Sequence, residues 1–139
     1  MVLALGMVAM LTVAGVALAA PARVVTLEAT LTGEQEVPGP GDRNGIGDAK
    51  LIVSPTRVCY QLKAKRIAPA QDAHIHEAPR GVAGPIVVTL KPPTNGFSSG
   101  CANISRALSR DLRTSPSDYY VNVHNRPFPG GAIRGQLHR

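Results

Sequence analysis

The sequence predicts an all-β fold, an antiparallel Greek-key-like β-sandwich or barrel with one short helix. Three observations carry this. Apolar residues alternate with polar ones over several short runs, glycines and prolines punctuate those runs, and only one segment repeats its apolar residues at helical spacing.

Residues 1–20 stand apart from the rest. Met1 to Ala20 contains no charged side chain and ends in Ala17-Leu18-Ala19-Ala20, the small-residue pattern of an export signal's cleavage site. The run is also about as long as a membrane span, roughly 20 residues, so an uncleaved N-terminal anchor is the alternative. If the signal is cleaved, the mature chain carries no membrane span. Residues 21–139 are then a single β domain, a length at which one packed core is expected.

Within that domain, Val25, Leu27, Ala29 and Leu31 alternate with Val24, Thr26, Glu28 and Thr30, as in a half-buried strand. Gly33 to Gly47, rich in glycine and proline, reads as a loop. Ala49, Leu51 and Val53, then Val58, Tyr60, Leu62 and Ala64, give two strands that pair as a hairpin across Ser54-Pro55. Cys59, Gln61 and Lys63 point to the other face. Ala73 to Glu77 follows, and then the continuous apolar run Ile86 to Leu90, which suits a central strand buried on both sides. Lys91 to Gly100 reads as a loop.

Ile104, Leu108 and Leu112 recur every four residues, which predicts a short helix, with Asn103 as its cap and Pro116 ending it. Asp118 to His124 and Ala132 to Leu137 complete the strands. Tyr119 and Tyr120, being adjacent on a strand, take opposite faces, one toward the core and one toward the surface. Asn103-Ile104-Ser105 is also an N-glycosylation sequon.

Fifteen Lys and Arg against nine Asp and Glu give a net charge of +6, spread from Arg23 to Arg139. No aromatic residues interleave the basic clusters and tryptophan is absent, so nucleic acid is not an expected partner. The basic residues read as a solvated surface. The two cysteines, Cys59 and Cys101, would lie in an oxidising compartment after export, where a disulfide is the default. Two metal-binding thiols or two unrelated buried ones are the alternatives.

Four segments together resemble the CHRD (chordin-type) domain family. They are Leu31-Thr32-Gly33-Glu34-Gln35-Glu36-Val37-Pro38, Ala73-His74-Ile75-His76 with Gly81-x-x-Gly84-Pro85-Ile86-Val87-Val88, Tyr119-Tyr120-Val121-Asn122-Val123-His124, and Phe128-Pro129-Gly130-Gly131-Ala132-Ile133-Arg134-Gly135-Gln136-Leu137. The resemblance covers nearly all of residues 21–139. It implies a secreted, periplasmic or extracellular β-sandwich module that binds an extracellular protein or matrix partner, or serves structurally, without catalysing a reaction. Glu77-Ala78-Pro79-Arg80 departs from the family pattern, which often has a small residue and glycine there.

The histidines offer a second reading. On a strand, His74 and His76 face the same side, and Asn122 and His124 share a face opposite Val121 and Val123. Three neutral imidazoles suit copper or zinc, with Asp72, Glu77 or Asn122 as further oxygens around them. The competing reading is structural, with each ring bonded to backbone carbonyls. The His-x-His strand, the later Val-His and the glycine-rich turn with an arginine are also locally similar to the copper site of Cu,Zn superoxide dismutases. That family uses more histidines, and here the fourth is His138, next to the C-terminus, so dismutase activity is not expected. Arg134, between Gly131 and Gly135, either anchors carbonyls or binds an anion.

Overall fold

A computed structural model describes residues 23–139. The expected export segment, residues 1–20, lies outside them. Eight strands and one helix follow in order: β1 (Val25–Thr32), β2 (Ile46–Ser54), β3 (Arg57–Lys65), β4 (Ala70–Glu77), β5 (Ile86–Leu90), β6 (Phe97–Asn103), α1 (Arg106–Thr114), β7 (Tyr119–Asn125) and β8 (Ile133–Gln136). They form one antiparallel sheet in the order β5-β4-β7-β8-β1-β2-β3-β6. The sheet curls into a nearly closed barrel, as the strand pattern predicted.

Its interior follows directly from the period-two pattern. Leu27, Ala29 and Leu31 of β1, Leu51 and Val53 of β2, and Val58 and Leu62 of β3 are all buried in one cluster with Ile75, Val121, Val123 and Ile133. Each leucine, isoleucine or valine among them contributes about 1.5–3 kcal/mol through loss of water contact. The expected hairpin forms, with Ser54 opposite Arg57 across the turn. At the seam, β5 and β6 approach without a shared ladder. Side chains close the gap: Lys91 N–H donates to Tyr60 Oη at 2.8 Å, and Ser98 Oγ donates to the Lys91 carbonyl at 2.7 Å.

Several elements differ from the sequence expectation. The loop expected over Lys91 to Gly100 contains the start of β6, which pairs with β3 from Phe97↔Lys63 to Asn103↔Arg57. Its sequence, FSSGCAN, has too little apolar alternation to announce a strand, and the free edge of β3 supplies the reason for it. The run Ile86 to Leu90 is not central. It is the sheet's edge, with Ile86 and Thr89 exposed and Val88 and Leu90 buried.

The helix is capped by Ser105, whose side chain accepts from Leu108 N–H at 3.0 Å, and not by Asn103, which is the last residue of β6. Leu112 is fully buried, with Ile104 and Leu108 packed against the core. Pro116 follows the helix end in a 3-10 turn.

The cysteines sit directly opposite each other on β3 and β6 and form the Cys59–Cys101 disulfide, closing a span of 42 residues. It lies on the outer face, where alternation places Cys59. Among the described residues, no helix is long and apolar enough to cross a membrane.

Candidate metal centre

Strand register builds the site. In antiparallel pairing, directly opposed residues share a face, and β4 lies against β7 with Asp72↔His124, His74↔Asn122 and His76↔Tyr120. On the other side of β7, Asn122 faces Arg134 and Tyr120 faces Gln136 of β8. Thus one face of three adjacent strands carries histidines, asparagine, tyrosine, arginine and glutamine, while its reverse carries Ala73, Ile75, Val121, Val123 and Ile133 of the core.

The three imidazoles meet. One ring nitrogen from each of His74, His76 and His124 lies within 4.8 Å of the others. His76 is buried, and His74 and His124 are half-buried, so the cluster opens to solvent on one side.

Backbone carbonyls fix two of the rings. His76 Nδ1 lies 2.8 Å from Gly84 O, and His124 Nδ1 lies 2.9 Å from Pro129 O. Only an N–H can face a carbonyl, so in each neutral ring the proton sits on Nδ1 and the lone pair on Nε2. Both lone pairs point at Asn122 Oδ1, from 3.0 Å and 3.1 Å. Oδ1 is itself an acceptor. Acceptors converging on one point require an amide turned to present its N–H₂, a second proton on one of the rings, or a cation between them. His74 completes the group, with its Nδ1 donating to His124 Nε2 at 3.1 Å.

The electrostatics favour the neutral form of His74 and His76. Burial, reinforced by the neighbouring His124 and His76, holds the His74 imidazole below the ordinary histidine range, although the Asp72 carboxylate opposes this. Burial likewise lowers the pKa of His76 against the opposing bonds to Gly84 and Asn122. Neutral imidazole is the form that ligates a metal ion.

The expected neighbours are placed unequally. Asn122 is buried at the centre of the cluster and Asp72 lies on its exposed rim. Glu77 falls out of the set: its odd spacing from His76 turns it away, and it is exposed near Tyr119, whose pKa burial and nearby carboxylates push up to about 12. His138 is also elsewhere, bridged to Glu28 through the backbone and exposed.

Arg134 is 2% exposed, and Tyr119 and Tyr120 are each 3% exposed. Both tyrosines are therefore covered, against the expectation of one at the surface. Tyr119 enters the core, and Tyr120 is enclosed on the outer layer between His76 and Arg134. Its ring stacks on His76 with centroids 4.7 Å apart and planes 5° apart, and the Arg134 guanidinium carbon lies 3.4 Å from its centroid.

Sequence reasoning missed Tyr120, Gly84 and Pro129 as site residues. The Tyr120 signal was present in the parity of 120, 122 and 124, but its meaning needed the register of β8. Glu36 was missed as well. It is buried beneath Gly131 and near Arg134, and burial pushes its pKa up to about 7.

A curled antiparallel sheet with a disulfide on its outer face and a polar, histidine-bearing layer on β4, β7 and β8 defines a small β-barrel domain. The CHRD domain family model matches residues 27–137, and the chain belongs to that family. No curated protein and no solved structure matches the chain.

Proposed function

We propose that this CHRD domain is a metal-binding module that holds a copper or zinc ion through His74, His76 and His124. The observation that carries the reading is the convergence of three ring nitrogens within 4.8 Å. A tetrahedral ion with metal–nitrogen distances of about 2.0–2.1 Å sets its ligands about 3.4 Å apart. Small ring rotations reach that spacing. The carbonyls of Gly84 and Pro129 act as the outer partners that orient ligating histidines, and the half-open face leaves a coordination position for water or a further ligand. Asn122 Oδ1 is an additional oxygen at the same point.

Export places the module where such ions are encountered. The apolar, uncharged segment Met1 to Ala20 and the Cys59–Cys101 disulfide support a secreted, periplasmic or extracellular location.

The test is metal analysis of the exported protein, followed by titration with copper and zinc. The expected result is one ion per chain, lost in His74→Ala/His76→Ala. Failure of the wild-type protein to hold either ion at micromolar concentration would refute the reading.

A second reading rests on Val82 and Ile86, large apolar side chains that are 50% and 52% exposed beside the site. They suit contact with an extracellular protein or matrix partner. Under that reading Val82→Ser/Ile86→Ser abolishes partner binding, while the histidine variants leave it intact.

A further inference from the structure

We infer that Arg134, acting through the Tyr120 ring, biases the three-histidine site against positive charge, so that a copper ion held there favours the cuprous state. This inference rests on the metal-binding reading above.

The geometry is a stack of three groups. Arg134 and His76 each lie too close to the Tyr120 ring to share a face, so the phenol is sandwiched between a cation and a ligand. Nothing else in the sandwich neutralises that cation. Arg134 Nη2 donates to the Pro79 carbonyl at 3.0 Å and to Gln136 Oε1 at 3.5 Å, both neutral acceptors. The nearby Glu36 carboxyl is buried and holds much of its proton at neutral pH. Arg80, also near Arg134, adds charge of the same sign.

The donor set is neutral too. Three imidazoles and the Asn122 amide bring no anion to the ion, and the carboxylate closest to the cluster, Asp72, sits on the exposed rim where water screens it. Copper sites that favour the cupric state gain from anionic ligands; this one is backed by a buried cation instead.

The repulsion acts twice as strongly on a divalent ion as on a monovalent one. The stacking distances put the guanidinium roughly 8–10 Å from the ion, and at an effective dielectric constant of about 20 a unit charge there shifts the balance between the two copper states by roughly ten- to thirtyfold. For a one-electron couple, about 59 mV corresponds to each tenfold change. Tyr120 contributes by excluding water from the gap, which keeps the guanidinium's field unscreened.

The experiment is the midpoint potential of the copper-loaded protein, measured at pH 6, where the Glu36 carboxyl keeps most of its proton, for the wild type, Arg134→Met and Arg134→Lys, and at pH 8, where it is ionised, for the wild type and Glu36→Gln, with thermal unfolding to confirm that each is folded. Arg134→Met should favour the cupric state by about tenfold or more, lowering the potential by about 59 mV or more. Arg134→Lys, which keeps the charge, should stay close to wild type. Glu36→Gln removes an opposing carboxylate and should raise the potential. An unchanged potential in folded Arg134→Met overturns the inference and leaves the metal site standing. If Arg134→Met does not fold, the Glu36→Gln result decides, and no rise overturns it. A wild-type protein that takes up no copper overturns the metal reading and this inference together.

Discussion

His76 and His74 differ in what surrounds them, and their substitutions should separate accordingly. His76 is 8% exposed, stacks on Tyr120 and bonds to Gly84 and Asn122. Its replacement by alanine leaves a cavity and an unpaired carbonyl, and should cost about 2–3 kcal/mol in chemical denaturation of the metal-free protein. His74→Ala, at the open side, should cost under about 1 kcal/mol, while both remove metal uptake. Equal losses of stability would contradict the assignment of His76 as the buried ligand. The buried Glu36 sets a pH dependence of opposite sign to that of the histidines. Its folded pKa, about 7, lies above the ordinary value of 4.5, so its stabilising contribution is full below about pH 4.5 and is lost as pH rises through 7. His74 and His76, lowered from 6.5, contribute above that pH and lose their contribution as pH falls through their folded values. Glu36→Gln should therefore be more stable relative to wild type at pH 8 than at pH 5, and denaturation at the two values checks this. A constant difference would show that the carboxyl titrates alike in the folded and unfolded chain, against the raised value. Against the same carboxyl, Gly131 has φ +138°, and a Cβ there would lie 2.4 Å from the Glu36 carboxyl atoms. Gly131→Ala should cost about 2 kcal/mol or more.

At the level of elements, the helix offers a clean comparison. Ser105 supplies the cap through its hydroxyl and Asn103 does not, so Ser105→Ala should lower stability by about 1 kcal/mol and Asn103→Ala should not. Unfolding of the two variants side by side distinguishes them. The same region marks how far the sequence could be read. Strands whose outward residues are polar and inward residues apolar, such as β1, β2 and β3, were legible because burial on one face writes itself as period two. β6 was not, since its residues are small or polar and its existence depends on β3 having an edge to pair. β5 was legible as a strand but misplaced, because a continuous apolar run records hydrophobicity and not position in a sheet. The imidazole cluster was legible in part. Parity brought His74 and His76 to one side, but parity alone cannot say that β4 lies beside β7, and the Arg134–Tyr120–His76 stack depends on β8 as well.

Across the whole molecule, the Cys59–Cys101 cross-link ties β3 to β6 over 42 residues. In the chain-entropy account it contributes about 3–4 kcal/mol. Reduction should lower the midpoint of thermal unfolding without displacing the histidine cluster, which lies on β4 and β7; metal titration of the reduced protein measures this. The seam of the barrel has a further consequence. Because β5 and β6 meet through the Tyr60 hydroxyl and the Ser98 hydroxyl and not through a continuous ladder, the barrel resembles a bracelet with a clasp. Thermal breathing should part it there first, so amide deuteration should enter β5 early and β7 late. Tyr60→Phe, which unhooks one catch, should quicken that entry and leave the far side of the bracelet untouched.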